Sequence, residues 1–186
     1  MRRFIDRCPG GRLCLAGGVF ANVKVNQRIH EMAGVDQLFV QPAMGDAGCA
    51  LGAALHVAAN GEGLRERPAL TNVYQGPGYG DDFIESRLRA ADLPYRRPTD
   101  PDRDIARDLH QGKIVGRYAE HTEWGPRALG NRSILARPTD KKINAELNNR
   151  LRRTEFMPFA PAILAEYAGD YLVGYRDGDL AARYMT

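Results

Sequence analysis

Arg12-Leu13-Cys14-Leu15-Ala16-Gly17-Gly18-Val19-Phe20-Ala21-Asn22 holds the fold in outline. A short apolar run stops at a glycine pair, and helical spacing starts directly afterwards, with Phe20, Val23, Ile29 and Met32 near one face and Gly34 closing the helix. The run is too short for a helix and reads as a buried strand ended by a tight turn. Moving outward, Gln37-Leu38-Phe39-Val40 is a second short strand, followed by Pro42 and a Met44-Gly45-Asp46 turn. Alanine-rich Ala47 to Ala59 is a strong helix former, stopped by Asn60 and Gly61. Strands alternating with helices imply a layered α/β unit. The expected class is α/β, mixed α+β over the whole chain.

From Gly61 to Asp82 the composition turns to Gly, Pro, Asn and polar residues, with Gly76-Pro77-Gly78-Tyr79-Gly80 as the most broken point. This divides the chain into residues 1–62, a linker at 63–82, and residues 83–186. Beyond the linker, helices are expected from about Asp82 to Ala91 and from Pro101 to Gln111, the latter with Ile105 and Leu109 on one side. Ile114 to Tyr118 reads as a strand. After Ile134-Leu135-Ala136, Thr139 or Asp140 can cap a helix towards Leu151, and a last helix is expected from about Ile163 to Leu172.

Composition narrows the function classes. Of 186 residues, 44% are hydrophobic and 26% charged, so a core can be buried. The net charge of +3 is spread among 23 acidic residues, too mild a balance for a nucleic-acid partner. No stretch approaches the roughly 20 apolar residues of a membrane span, and the opening lacks the apolar heart of a signal peptide, so the chain reads as cytoplasmic. Cys8, Cys14 and Cys49 have no CxxC spacing and read as small apolar residues. The first strand and glycine pair come so early that the chain reads as a piece of a longer protein.

Four stretches carry candidate chemistry. Gly17-Gly18 lies between a strand and a helix start, where backbone can approach a ligand and free N–H groups suit phosphate or ribose; the same pair also serves as a plain turn. Asp46, between Gly45 and Gly48, either caps the following helix or faces a nucleotide or a hard divalent cation, the two glycines leaving room for phosphate. Glu123-Trp124-Gly125-Pro126-Arg127-Ala128-Leu129-Gly130-Asn131-Arg132-Ser133-Ile134-Leu135-Ala136 puts two guanidiniums, an amide and a hydroxyl on a glycine-punctuated loop, suited to an oxyanion or a carbamoyl group, or else to a solvated face. Arg150, Arg152 and Arg153 add charge before Phe156-Met157-Pro158-Phe159-Ala160-Pro161, or complement a helix dipole. Trp124 and Phe156 read as packing residues. The four histidines have no metal-ligand spacing, and His121, near the signature, is a plain loop residue or a phosphate-facing one.

The first two stretches, in this order, resemble the nucleotide-binding end of the actin-like ATPases, with Gly17, Gly18, Val19 and Asn22 matching a nucleoside-contacting segment and Asp46 with Gly48 a metal-ligating Asp-x-Gly turn. Gly125 to Ser133 then looks like the signature of the nodulation-protein-U and cephamycin-type O-carbamoyltransferases, and the resemblance covers nearly the whole chain. It implies the end of an actin-like domain followed by part of a YrdC-like domain, the first binding nucleotide through Gly17, Gly18, Val19, Asn22, Gly45 and Gly48. It implies that Arg127, Asn131, Arg132, Ser133, Arg150 and Arg153 hold carbamoyl phosphate, with Arg127, Arg132 and Asp46 catalytic. Cofactors implied are ATP and, in the complete protein, a divalent metal, iron or magnesium, on Asp46. The partners implied are carbamoyl phosphate, ATP and a small-molecule hydroxyl acceptor, and a homodimer is compatible. Met157 departs from the Arg expected in many members. Because the paired histidines of the family's metal site are absent from this sequence, the chain alone is expected to be inactive. The alternatives are a non-catalytic nucleotide-binding module and a tRNA threonylcarbamoyl-type modification enzyme.

Overall fold

The computed structural model describes residues 2–5, 7–61, 69–153, 159–176 and 180–186. In chain order the elements are α1 (Arg2–Ile5), β1 (Arg12–Leu15), α2 (Val23–His30), β2 (Gln37–Val40), α3 (Ala47–Asn60), α4 (Asp81–Ala90), α5 (Pro101–His110), β3 (Val115–Tyr118), β4 (Arg132–Leu135), α6 (Ile143–Arg150), α7 (Ala168–Tyr171) and α8 (Ala181–Tyr184). The class is mixed α/β, with two small sheets among the described residues. Among the described residues no helix is long and apolar enough to cross a membrane.

By backbone packing the chain forms two compact units, and neither is continuous in sequence. Unit 1 comprises Met1–Gln75, Glu123–Leu129 and Leu164–Thr186; unit 2 comprises Gly76–Thr122 and Gly130–Ile163. The boundaries expected at 63 and 83 do not mark these returns, which are made by the Trp124 amide on the Val73 carbonyl and by the Arg176 and Tyr184 side chains on the carbonyls of Val35, Asp36 and Leu70.

In unit 1, β1 and β2 pair in parallel, with Leu13 opposite Leu38 and Leu15 opposite Val40. These four side chains point the same way and form a core with Ile5, Ile29, Val35 and Met44. Along each strand burial alternates, so Arg12, Cys14 and Gln37 face outward. The buried strand expected here is thus buried on one face only, and of the cysteines read as small apolar residues Cys14 and Cys49 are exposed and Cys8 half-buried. A 3-10 turn, Gly18–Ala21, leads into α2, whose Asn22 cap accepts from the amides of Lys24 (3.0 Å) and Val25 (3.3 Å). This splits the expected single helix in two. All 14 residues of α3 are described and none is buried, although the helix carries no charged side chain. The C-terminal segment adds Tyr184, 2% exposed, whose hydroxyl donates to the Leu70 carbonyl, and Arg176, which donates to the carbonyls of Val35 and Asp36. The expected helix at 163–172 resolves into a 3-10 turn, Ala165–Tyr167, and the short α7.

Unit 2 is built on α4, α5 and the antiparallel pair β3–β4, in which Arg117 lies opposite Ser133 and Tyr118 opposite Arg132. Pro101 at the first turn of α5 and Asp100, accepting from the Arg103 amide at 3.0 Å, fix the start of that helix. Ion pairs dress its surface: Arg89 with Glu85, Arg97 with Asp81, and Arg96 and Arg107 with Asp104. Exposed pairs of this kind add little stability, but they align residues 95–97 beside α4 and α5.

Two outcomes are expected. Ile29→Ala, in the core, costs about 2–5 kcal/mol in urea unfolding, whereas Leu55→Ala on the exposed α3 stays within about 0.5 kcal/mol. Hydrogen bonds from Tyr95 and then Arg89 hold the Glu85 carboxyl below its ordinary value, and Arg96 followed by Arg107 does the same for Asp104. A depressed carboxylate stabilises the fold above its unfolded pKa, and that contribution is lost as pH falls through the lower folded value. NMR titration should show both carboxyls ionising at lower pH than exposed carboxylates elsewhere in the chain, and Tyr95→Phe should move Glu85 upward.

Candidate functional site

Parallel strands deliver their carboxyl ends to one edge of the sheet, and in unit 1 two turns leave that edge together. The Gln41 amide donates to the Leu15 carbonyl at 2.9 Å, and the Gly17 amide to the Met44 carbonyl at 2.7 Å. Gly17 has φ +118°, a conformation side chains resist. At Gly18 and Gly45 no described heavy atom lies within 4 Å of where a Cβ would stand, so backbone there is open to a ligand. Gly48 is different: a Cβ would lie 2.2 Å from the Ala43 carbonyl oxygen, so the room foreseen there for phosphate is taken up by the chain's own backbone. Asp46 is exposed and already helical (φ −58°, ψ −33°), and its side chain caps nothing. The capping reading of Asp46 is thereby removed, since a cap requires extended backbone at that residue. Asn22, in turn, has its side-chain oxygen engaged by α2.

Next to the glycine turn runs a groove of about 510 Å³, lined almost wholly by apolar surface from Val19, Phe20, Val25, Ile29 and Met32 and the stems of Lys24 and Arg28. Val19 is 64% exposed, available to a ligand rather than to the core.

The signature loop divides between the units. Its first half, Glu123–Leu129, belongs to unit 1. There the Trp124 amide donates to the Val73 carbonyl (2.7 Å), the Tyr74 hydroxyl to the Leu129 carbonyl (2.9 Å), and Arg127 Nη2 to the Ala21 carbonyl (2.7 Å). Arg127 is thus placed at the end of the glycine turn, a contact 106 residues apart in sequence.

The second half belongs to unit 2. Asn131 and Ser133 are buried. Asn131 Nδ2 donates to the His121 carbonyl (2.9 Å) and Ser133 Oγ accepts from the Gly130 amide (2.8 Å). Arg117 on β3 donates to the Gly130 carbonyl (2.6 Å) and to Asn131 Oδ1 (3.3 Å). Asn131 and Ser133 therefore shape the loop backbone, while Arg132, on the same strand β4, faces solvent. Arg150 pairs with Glu146 at 2.6 Å, one turn back on α6, and the Arg153 guanidinium lies 5.3 Å from the Phe159 ring centre. His121 Nδ1 is 2.9 Å from the Gly76 carbonyl. Phe156 and Met157 lie outside the described residues. Arg117 and Glu123 are the residues that sequence reasoning passed over. Arg117 stands in a strand with no motif of its own, and Glu123 sits at the margin of the glycine string.

A family described as carbamoyltransferase N-terminus matches residues 6–55, and one described as carbamoyltransferase C-terminus matches residues 106–186. Nodulation protein NolO of Bradyrhizobium diazoefficiens is 39% identical over 164 residues, covering 86% of this chain and 30% of that protein. Nodulation protein NolNO of Sinorhizobium fredii is 38% identical over 164 residues, 86% of this chain and 24% of its own length. Nodulation protein U of Rhizobium tropici is 37% identical over 163 residues, 87% of this chain and 27% of its own length. The chain thus spans under a third of the length of these relatives.

The two glycines of the second turn should respond oppositely to alanine. Gly48→Ala forces backbone apart at Ala43 and should cost about 1–3 kcal/mol by chemical denaturation; Gly45→Ala, with open space around it, should stay within about 0.5 kcal/mol.

Proposed function

Because the chain belongs to the carbamoyltransferase family, we propose that it carries part of an ATP-dependent O-carbamoyltransferase that makes carbamoyl adenylate from carbamoyl phosphate and ATP and passes the carbamoyl group to a hydroxyl of a small molecule. The observation that carries the reading is the Arg127 guanidinium bonded to Ala21 beside the open backbone of Gly18. A cation is thereby held next to a turn whose amides and bare Cα atoms suit phosphate oxygens, with an apolar groove alongside for a nucleobase. In this reading the first part of the chain is the end of an actin-like nucleotide-binding domain and residues 83–186 open a YrdC-like domain.

Adenylation asks for a carbamate oxygen and the α-phosphorus in line, which is mainly a matter of positioning and charge. Arg127 and Arg132 are assigned to phosphate oxygens, since a guanidinium offers a rigid fork of donors. Gly17, Gly18, Val19, Asn22, Gly45 and Gly48 form the nucleotide side, Gly48 by allowing close packing under the turn. Arg150 and Arg153 are assigned to carbamoyl phosphate on the family resemblance alone. Asp46 is assigned as one ligand of a divalent metal, iron or magnesium, in the complete protein; among the described residues no group of three or more His, Cys, Asp or Glu could hold it without further ligands. No step is therefore routed through a metal on this chain.

The test is calorimetry with a non-hydrolysable ATP analogue and, separately, carbamoyl phosphate. Gly18→Val should lower analogue affinity at least tenfold with the thermal midpoint unchanged, because the added side chain meets ligand space rather than protein. Arg127→Ala and Arg132→Ala should each weaken carbamoyl phosphate. An analogue that binds Gly18→Val as tightly as wild type would overturn the nucleotide assignment.

A further inference from the structure

We infer that Glu123 is the positioning residue that sets the reach of Arg127, and through it the conformation of the Gly17–Asn22 turn. Glu123 is 6% exposed, an uncommon place for a carboxylate, and its Oε1 accepts the Leu129 amide at 2.8 Å. That bond joins the two ends of the first half of the signature. Leu129 is then held from both sides, its amide by Glu123 and its carbonyl by the Tyr74 hydroxyl at 2.9 Å. The Trp124 amide, bonded to the Val73 carbonyl at 2.7 Å, anchors the other end.

With both ends fixed, the arch between them has little freedom. Gly125 takes φ +109°, and a Cβ there would stand 3.1 Å from the Pro42 carbonyl oxygen, so the arch lies against the backbone that leads into the Met44-Gly45-Asp46 turn. Two residues on, Arg127 donates to Ala21 at 2.7 Å. One short arch therefore touches both turns that leave the sheet edge. An acceptor buried at its base governs the register of the whole, because an arginine is long and finds a given carbonyl only if its backbone is held. A charged acceptor makes the stronger bond to an amide, and a glutamate is the length that reaches Leu129.

The inference rests on the nucleotide reading for its functional consequence but not for its structural content, and two readouts separate them. Glu123→Ala, Glu123→Gln and Glu123→Asp are compared by hydrogen exchange and by calorimetry with the ATP analogue. Glu123→Ala should exchange at least tenfold faster at the amides of 124–129 and of 17–22, with Leu13 and Leu38 in the strands still protected, and should bind the analogue at least tenfold more weakly. Glu123→Gln, which keeps the length and an acceptor oxygen, should restore most of both. Glu123→Asp, which keeps the charge but falls short by a methylene, should behave as Glu123→Ala. Unchanged exchange at 17–22 in Glu123→Ala overturns the inference. If that variant loses protection throughout the strands, the comparison of Gln with Asp decides: equal behaviour of the two overturns the inference. If wild type binds no analogue, the nucleotide reading fails by itself, and exchange at 17–22 still decides whether Glu123 positions the turn.

Discussion

The parallel register of β1 against β2 is the constraint on which the first unit depends. With Leu15 opposite Val40, both strands end at the same level and the two chains leave the sheet side by side. The bond from the Gly17 amide to the Met44 carbonyl follows directly, since only neighbouring exits can share it. A slip of one residue in either strand would turn that strand's inward pair, Leu13 and Leu15 or Leu38 and Val40, away from Ile29 and Met44 and would separate the turns at the same time. Stability and site are therefore set by one alignment. This is the general logic of open α/β sheets, which collect ligands beyond the carboxyl ends of their strands.

Much of unit 1 could be read from the residues because its local signals agree. Gln37–Val40 is a compact apolar run between Asp36 and Pro42, and it forms a strand with those bounds. Asn22 and Asp100, both good caps, open α2 and α5. Where sequence reasoning failed, the deciding partner was backbone. Gly48 looks like a ligand-side glycine until the Ala43 carbonyl is found pressed against it. Cys14 and Cys49, small and apolar, are exposed because β1 buries one face only and α3 buries none of its residues. The splitting of the signature between units is likewise invisible in its letters: Arg127 is held by the carbonyl of an alanine, a group every residue carries.

The site thus separates into parts that shape and parts that present. Asn131, Ser133, Arg117 and Glu123 spend their polar atoms on loop backbone, whereas Gly18, Gly45, Asp46 and Arg132 present surface. A motif match weights both kinds equally, although their substitution has different meanings. Loss of the first kind deforms the loop, and loss of the second removes a contact.

The return of the C-terminal segment to unit 1 bears on how the protein is made. Tyr184 is buried and bonded to the Leu70 carbonyl, and Arg176 closes over Val35 and Asp36, so the first unit lacks two of its own pieces until the segment beyond unit 2 has been added. During synthesis the strands and α2 emerge before unit 2 and must wait with an open flank while the whole of it is produced. Contacts so distant in sequence form slowly, and a nascent chain in that interval exposes apolar surface of the kind that chaperones bind.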